Sequence, residues 1–179
     1  SVTITEPAAA ISSIETVVND VSCFGGSDGK AYVTAANGTP GYTYNWTDGQ
    51  STDTLFNVNA GKYYVTITDA LLCTHIDSVT ITEPIAAISS VETVLNYVSC
   101  FGGSDGKAYV TAANGTPGYT YNWTDGQSTD TLFSVIAGKY FVTITDALLC
   151  THIDSVTITE PAAAISSIET VVNDVSCFG

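Results

Sequence analysis

The chain has 179 residues and carries 18 acidic against 4 basic side chains, a net charge of −14. Nucleic acid and anionic membrane surfaces are excluded as partners, because both attract the opposite sign. Val, Ile, Tyr and Phe are too plentiful for a disordered acidic tail, and no apolar run approaches the ~20 residues that cross a bilayer, so direct membrane insertion is not expected.

The first predicted element is a strand over 8–18, whose apolar positions change parity at Ser12-Ser13 and so predict a bulge. A Gly-rich turn over 23–29 follows. The strand over 30–36 puts Ala31, Val33 and Ala35 on one face. Asn37-Gly-Thr-Pro-Gly41 is turn chemistry. The strand over 42–47 aligns Tyr42, Tyr44 and Trp46, and 48–53 makes a short crossing. A strand over 54–58 turns at Ala60-Gly61 into a strand over 62–68, with Tyr63, Val65 and Ile67 on one face. After a turn over 70–73, the last strand, over 74–83, points Val79 and Ile81 inward and ends at Pro84.

The pattern then starts again. SVTITEP stands at Ser1, Ser78 and Ser155, a period of 77 residues. Residues 1–77 and 78–154 agree at 70 of 77 positions, and 155–179 repeat 1–25 without a change. Such a period is too long for a solenoid rung or a propeller blade but suffices for a small domain. About seven short β-branched and aromatic strands per period predict an all-β fold: tandem immunoglobulin-like sandwiches arranged as an extended rod. The expected frame is a last strand of a preceding repeat at 1–7, repeats at 8–84 and 85–161, and the first strand of a following repeat at 162–179.

TPGYTYNW, AGKYYVTITDALLC, SVTITEP and VSCFGGSDGKAYV, in that order, resemble the SprB repeat. That family forms tandem arrays in very large adhesins on the surface of gliding Bacteroidetes. Leu71-Leu72 depart from it, standing where a polar Asn-Gly-like turn is usual. The resemblance implies an exported protein of the bacterial cell surface, tied to adhesion and gliding motility.

Export makes disulfides relevant. Each period holds two cysteines, and three pairings compete: Cys23–Cys73, Cys73–Cys100 and Cys23–Cys150. In a seven-strand sandwich Cys23 lies at the end where the chain leaves and Cys73 at the end where it enters. A strand of seven or eight residues separates these ends by roughly 25 Å, whereas a disulfide needs Cα atoms within about 7 Å. The expected bridge is therefore Cys23–Cys150, between domains. Cys73, Cys100 and Cys177 would bridge to repeats outside this stretch. An intradomain pair or free thiols stay open, and would gain if 48–53 were not a strand, because the later strands would then reverse.

The remaining constellations are weaker. Tyr42, Tyr44 and Trp46 form a sugar-stacking stripe or, more simply, core. Tyr32, Tyr64 and their copies face outward. Tyr64 is Phe141 in the second copy, so no hydroxyl is required at both. Asp28, Asp48, Asp53 and Asp69 are candidate calcium ligands, but no D-x-D-x-D-G run exists, and no cofactor is otherwise expected. His75 and His152 stand alone, without the further ligands of a zinc site. No nucleophile–base grouping or phosphate loop is present, so no enzyme is expected. Thr54, Ser78, Thr131 and Ser155 follow the D-(S/T)-apolar pattern, which the family resemblance makes candidate O-glycan acceptors. Asn37 and Asn45 begin N-glycan sequons but read as turn and strand residues. The expected partners are neighbouring copies of the repeat and surface polysaccharide. The functional expectation is a rigid extracellular stalk. A polysaccharide-binding module and a laterally associating fibre subunit, through weakly charged edge strands, are the alternatives.

Overall fold

The computed structural model describes residues 9–170. Every regular element among them is a strand, as expected where β-branched and aromatic side chains dominate and favour a pleated surface. The first copy contains β1 (Ser12–Asn19), β2 (Gly29–Ala36), β3 (Thr43–Trp46), β4 (Thr54–Val58), β5 (Gly61–Thr68) and β6 (Thr74–Ile81). They form two antiparallel three-stranded sheets, β1-β2-β4 and β3-β5-β6. The second copy repeats this with β7 (Ser89–Asn96), β8 (Gly106–Ala113), β9 (Thr120–Trp123), β10 (Thr131–Val135), β11 (Gly138–Thr145) and β12 (Thr151–Ile158). Its sheets run β10-β8-β7 and β12-β11-β9.

Each copy thus has six strands rather than about seven, because 48–53 is turn and bend. The later strands nevertheless do not reverse. β3 runs antiparallel to β2 across the 37–42 turn, and β4 is antiparallel to β2 by pairing, Tyr32 opposite Thr54. So β3 and β4 run the same way: the chain leaves one sheet at Trp46, crosses, and continues in the other. The crossing is held by its own polar groups. The Trp46 amide donates to Gln50 O at 2.8 Å, the Val33 amide to Asp53 O at 2.9 Å, and the Trp46 indole Nε1 to Thr52 O at 2.9 Å.

The inward residues meet between the sheets. Ala31, Val33, Trp46, Leu55, Val65, Ile67, Val79 and Ile81 are buried, with Ala35, Tyr42, Tyr44 and Tyr63 packed partly against them. The Tyr42-Tyr44-Trp46 stripe is core, and its alternation with exposed Thr43 and Asn45 is the period-two signature of a half-buried strand. Gly29 is required at the top of this core. A Cβ there would stand 2.6 Å from Ile81 Cγ2 and 2.7 Å from Val58 O.

The predicted bulge lies elsewhere. Ile11 is buried just before β1 begins, so the parity change at Ser12-Ser13 marks entry into the strand. The register shift falls between Val17 and Asn19. Of the frame's outer pieces, 1–7 lies outside the described residues, and so does the end of the last piece. Its described part, 162–170, carries no strand.

The chain divides into two compact units. One holds Ser1–Ser89, Ala112–Tyr119 and Ile144–His152, the other Ser90–Thr111, Thr120–Thr143 and Ile153–Gly179.

Candidate functional site

Among the described residues the chemistry of the chain concentrates at its cysteines. Cys23 sits in the turn between β1 and β2, beyond the end where Asn19 opposes Lys30. Local bonds shape this turn. The Ser22 amide donates to Asp28 Oδ1 at 3.0 Å, the Gly26 amide to Cys23 O at 2.8 Å and the Gly25 amide to Glu83 Oε2 at 2.5 Å. Gly25 has φ +73, the left-handed region that glycine enters without strain. In the second copy Ser99 donates to Asp105, Gly103 to Cys100 O and Gly102 to Glu160, at 2.9, 2.9 and 2.6 Å.

Cys73 and Cys150 close the β5–β6 and β11–β12 turns. Each turn is organised by a buried aspartate. Asp69 Oδ1 accepts the amides of Leu71 and Cys73 at 2.9 and 2.8 Å, and its Oδ2 accepts that of Thr39 at 3.0 Å. Asp146 does the same for Leu148, Cys150 and Thr116, each at 2.9 Å. The Thr39 amide first, then those of Cys73 and Leu71, hold the Asp69 carboxyl below the ordinary carboxylate range against the opposing effect of burial. At Asp146 burial pushes upward, and the amides of Thr116, Cys150 and Leu148 outweigh it. Leu72 and Leu149 occupy the left-handed region, with φ +65 and +66. The backbone thus adopts the turn that asparagine or glycine would favour, and the leucine side chains are exposed.

Cys23 and Cys150 form a disulfide, with S–S 2.04 Å and Cα–Cα 5.6 Å, across a sequence separation of 127. Both belong to the first compact unit. They come from different copies of the period. Cys73 and Cys100 are free and exposed, and Cys177 lies outside the described residues. Within the first copy, Cys73 lies beyond the Thr68–Thr74 end of the sheets and Cys23 beyond the opposite end, a strand length apart.

The other candidates are distributed. Asp28 caps its own turn, Asp48 accepts from Gln50, Asp53 accepts from Thr54, and Asp69 caps the Cys73 turn. Among the described residues no three His, Cys, Asp or Glu side chains gather as a metal site. His75 Nε2 lies 3.8 Å from Asp77 Oδ2, which also accepts from Ser13 Oγ at 3.0 Å. Thr54 and Thr131 start β4 and β10, Ser78 and Ser155 sit within β6 and β12, and all four are half-buried. Asn37 Nδ2 donates to Ser12 Oγ at 2.9 Å, at φ +63. Tyr32 and Tyr64 are exposed. Lys62 Nζ lies 5.1 Å from the Tyr64 ring centre and Lys139 Nζ 5.0 Å from that of Phe141, so this contact needs the ring and not the hydroxyl. Sequence reasoning weighed Asp69 only as a metal ligand. Its role as a turn cap had no signal in Asp69-Ala-Leu-Leu-Cys73, because the residue that takes positive φ there is Leu72 and not a glycine or asparagine.

The fold defines the class: tandem all-β units, each of two small antiparallel sheets packed face to face in the manner of immunoglobulin-like domains. Residues 15–51 and 94–128 match the family model of the SprB repeat, one stretch in each copy. The resemblance to the SprB repeat therefore holds in both copies, and it supports the role of a surface-protein repeat. No curated protein matches the chain. Similar solved structures include the following three. One is the three N-terminal domains of the bacteriophage RB49 highly immunogenic outer capsid protein: 19% identity, 84% of this chain, 59% of that chain, TM-score 0.47. The chain thus spans little more than half of that relative. The second is fibronectin(III)-like modules of Clostridium thermocellum CbhA: 12%, 87% and 100%, TM-score 0.35. The third is domains 4 and 5 of the S-layer protein SbsC: 17%, 84% and 100%, TM-score 0.33. At these scores the likenesses carry no functional information.

Proposed function

We propose that the chain is a run of structural modules in the rigid extracellular stalk of a large bacterial surface adhesin, serving adhesion and gliding motility mechanically and without chemistry of its own. The observation that carries this reading is the disulfide between Cys23 and Cys150, cysteines of successive copies. Glu83-Pro84 leaves almost no linker between the copies, and a covalent bridge beside it restricts the bending that a flexible linker would allow. The SprB repeat match and the near-identity of the copies support the same reading. The test is electron microscopy of a multi-repeat chain, oxidised and then reduced. Straight particles that become flexible on reduction are expected. Particles equally straight after reduction would remove the mechanical role assigned to Cys23.

A polysaccharide-binding role draws on the exposed rings of Tyr32, Tyr64 and Tyr109. Binding on a glycan array that is lost when Tyr32 and Tyr109 become alanine would favour it over the stalk. O-glycosylation at Thr54, Ser78, Thr131 and Ser155 is a further proposal. An intact mass above the sequence mass by hexose-sized steps would support it, and an exact match would remove it.

A further inference from the structure

β4 stands at the edge of its sheet, bonded to β2 alone in the order β1-β2-β4. Asp53 O accepts from the Val33 amide, so bonding to β2 runs through Asp53 and Leu55, and Thr54 and Phe56 turn their backbone groups to the free edge. The strand reads Thr-Leu-Phe-Asn-Val, without a charge. A short, uncharged, β-prone edge with open donors and acceptors is a template for another strand. β10, Thr-Leu-Phe-Ser-Val, has the same character in the second copy.

Side chains of the crossing occupy these groups. The Phe56 amide donates to Gln50 Oε1 at 3.2 Å, and Gln50 Nε2 donates to Phe56 O at 3.0 Å. One side-chain amide thus supplies both the acceptor and the donor that a neighbouring strand would supply. Thr52 Oγ1 donates to Thr54 O at 2.6 Å. Asp48 fixes the glutamine, its Oδ2 accepting from Nε2 at 2.6 Å and its Oδ1 from the Gln50 amide at 3.1 Å. The same segment covers the end of β3, because Trp46 donates its amide to Gln50 O and accepts that of Gly49 at its carbonyl. In the second copy Gln127 bonds both backbone groups of Phe133 at 3.1 and 2.9 Å, and Thr129 bonds Thr131 O at 2.6 Å. Asp125 holds Gln127 at 2.6 and 3.1 Å. The first set lies wholly in one compact unit and the second wholly in the other.

We propose that Gln50 and Thr52, with Gln127 and Thr129 in the second copy, are strand surrogates that close the β4 and β10 edges against strand addition by a second copy of this chain. The repeat itself names the excluded partner. Copies that agree at 70 of 77 positions present one another with matching strands, and near-identical neighbours are prone to pair wrongly. Charge gives these edges no protection of their own, since neither β4 nor β10 carries any of the 18 acidic side chains. The protection comes instead from hydrogen bonds already made, because an incoming strand must first displace the glutamine amide and leave it and Asp48 without partners. The inference goes beyond the stalk reading and stands whether or not that reading holds. It closes, at β4 and β10, the edge route by which a lateral fibre would form.

The test compares the full chain with its Gln50→Ala, Gln127→Ala double variant, both with free thiols alkylated and the Cys23–Cys150 bond intact. Sedimentation velocity at rising protein concentration reads the mass, and amide hydrogen exchange reads Phe56 and Phe133. The unaltered chain should stay monomeric with both amides protected. In the variant these amides should exchange about tenfold faster at low concentration, the factor for one lost hydrogen bond. They should regain protection as the mass rises toward that of a dimer. Unchanged exchange at Val65, in the central strand β5, checks that the sandwich is retained. Where alanine loosens the fold, Gln50→Asn with Gln127→Asn keeps an amide on a stem too short to reach both groups, and is read in the same way. A variant that associates no more than the unaltered chain would overturn the proposal. So would association that leaves Phe56 and Phe133 unprotected, or an unaltered chain in which these amides already exchange freely.

Discussion

Asp146 Oδ1 accepts the amide of Cys150 at 2.9 Å, and this bond fixes the cysteine that meets Cys23. A buried carboxylate receiving three backbone amides leaves the turn little freedom. The backbone of Cys150 is therefore fixed within its turn by these bonds as well as by the disulfide. The identical arrangement of Asp69 and Cys73 at 2.8 Å shows that the turn does not depend on the disulfide.

Peptide mapping without reduction should recover a linked pair containing Cys23 and Cys150. Iodoacetamide added to the native protein should label Cys73 and Cys100, both exposed thiols. A linked Cys23–Cys73 peptide would contradict the strand topology, since these cysteines lie at opposite ends of the sheets.

Acid should unfold the protein through these aspartates. The folded Asp69 and Asp146 carboxyls lie below the unfolded value of 3.8. A depressed folded value gives stability that is present in full above the unfolded value and is lost as pH falls through the folded one. Urea midpoints should therefore be flat at neutral pH and drop as pH falls below the carboxylate range. Asp146→Asn should lower the neutral midpoint and flatten the acid slope. A slope unchanged by the substitution would show that other carboxylates dominate.

Leu72 is 82% exposed at φ +65. A leucine in the left-handed region costs about 1–2 kcal/mol, and little burial is lost on replacing it. Leu72→Asn should therefore stabilise by about 0.5–1 kcal/mol in chemical denaturation, because asparagine tolerates that conformation. Destabilisation would mean that the leucine makes contacts which offset its strain.

Trp46 is 2% exposed and donates its indole N–H to Thr52 O at 2.9 Å. Trp46→Ala should cost about 3–5 kcal/mol, from the cavity and the lost packing. It also removes the bond that holds the crossing between sheets. Tyr32→Ala, on the exposed face of β2, should stay within about 0.5 kcal/mol in the same measurement. Comparable losses at both positions would refute the assignment of inner and outer faces.

Much of the strand pattern was legible because alternation is local. Val65 and Ile67 face inward and Tyr64 outward by the two-residue period alone, and the structure places them so. The 77-residue period needed only comparison of the chain with itself. The strand count and the bulge were misjudged because both depend on partners distant in sequence. Whether 48–53 pairs is decided by β2 and β5, and the β1 irregularity is set where Asn19 meets Lys30.

By itself the sequence determined the strand faces, the repeat and the two cysteines per period, since each is a property of neighbouring residues or of self-similarity. Only the tertiary structure decided that β3 continues as β4 in the other sheet, that Asp69 and Asp146 cap the cysteine turns, and that Cys23–Cys150, the expected one of three competing pairings, is the bond that forms. These depend on groups 30 residues apart for Thr39 and Asp69 and 127 apart for the disulfide. Such distances are set by packing two sheets around one core, and no local periodicity encodes them.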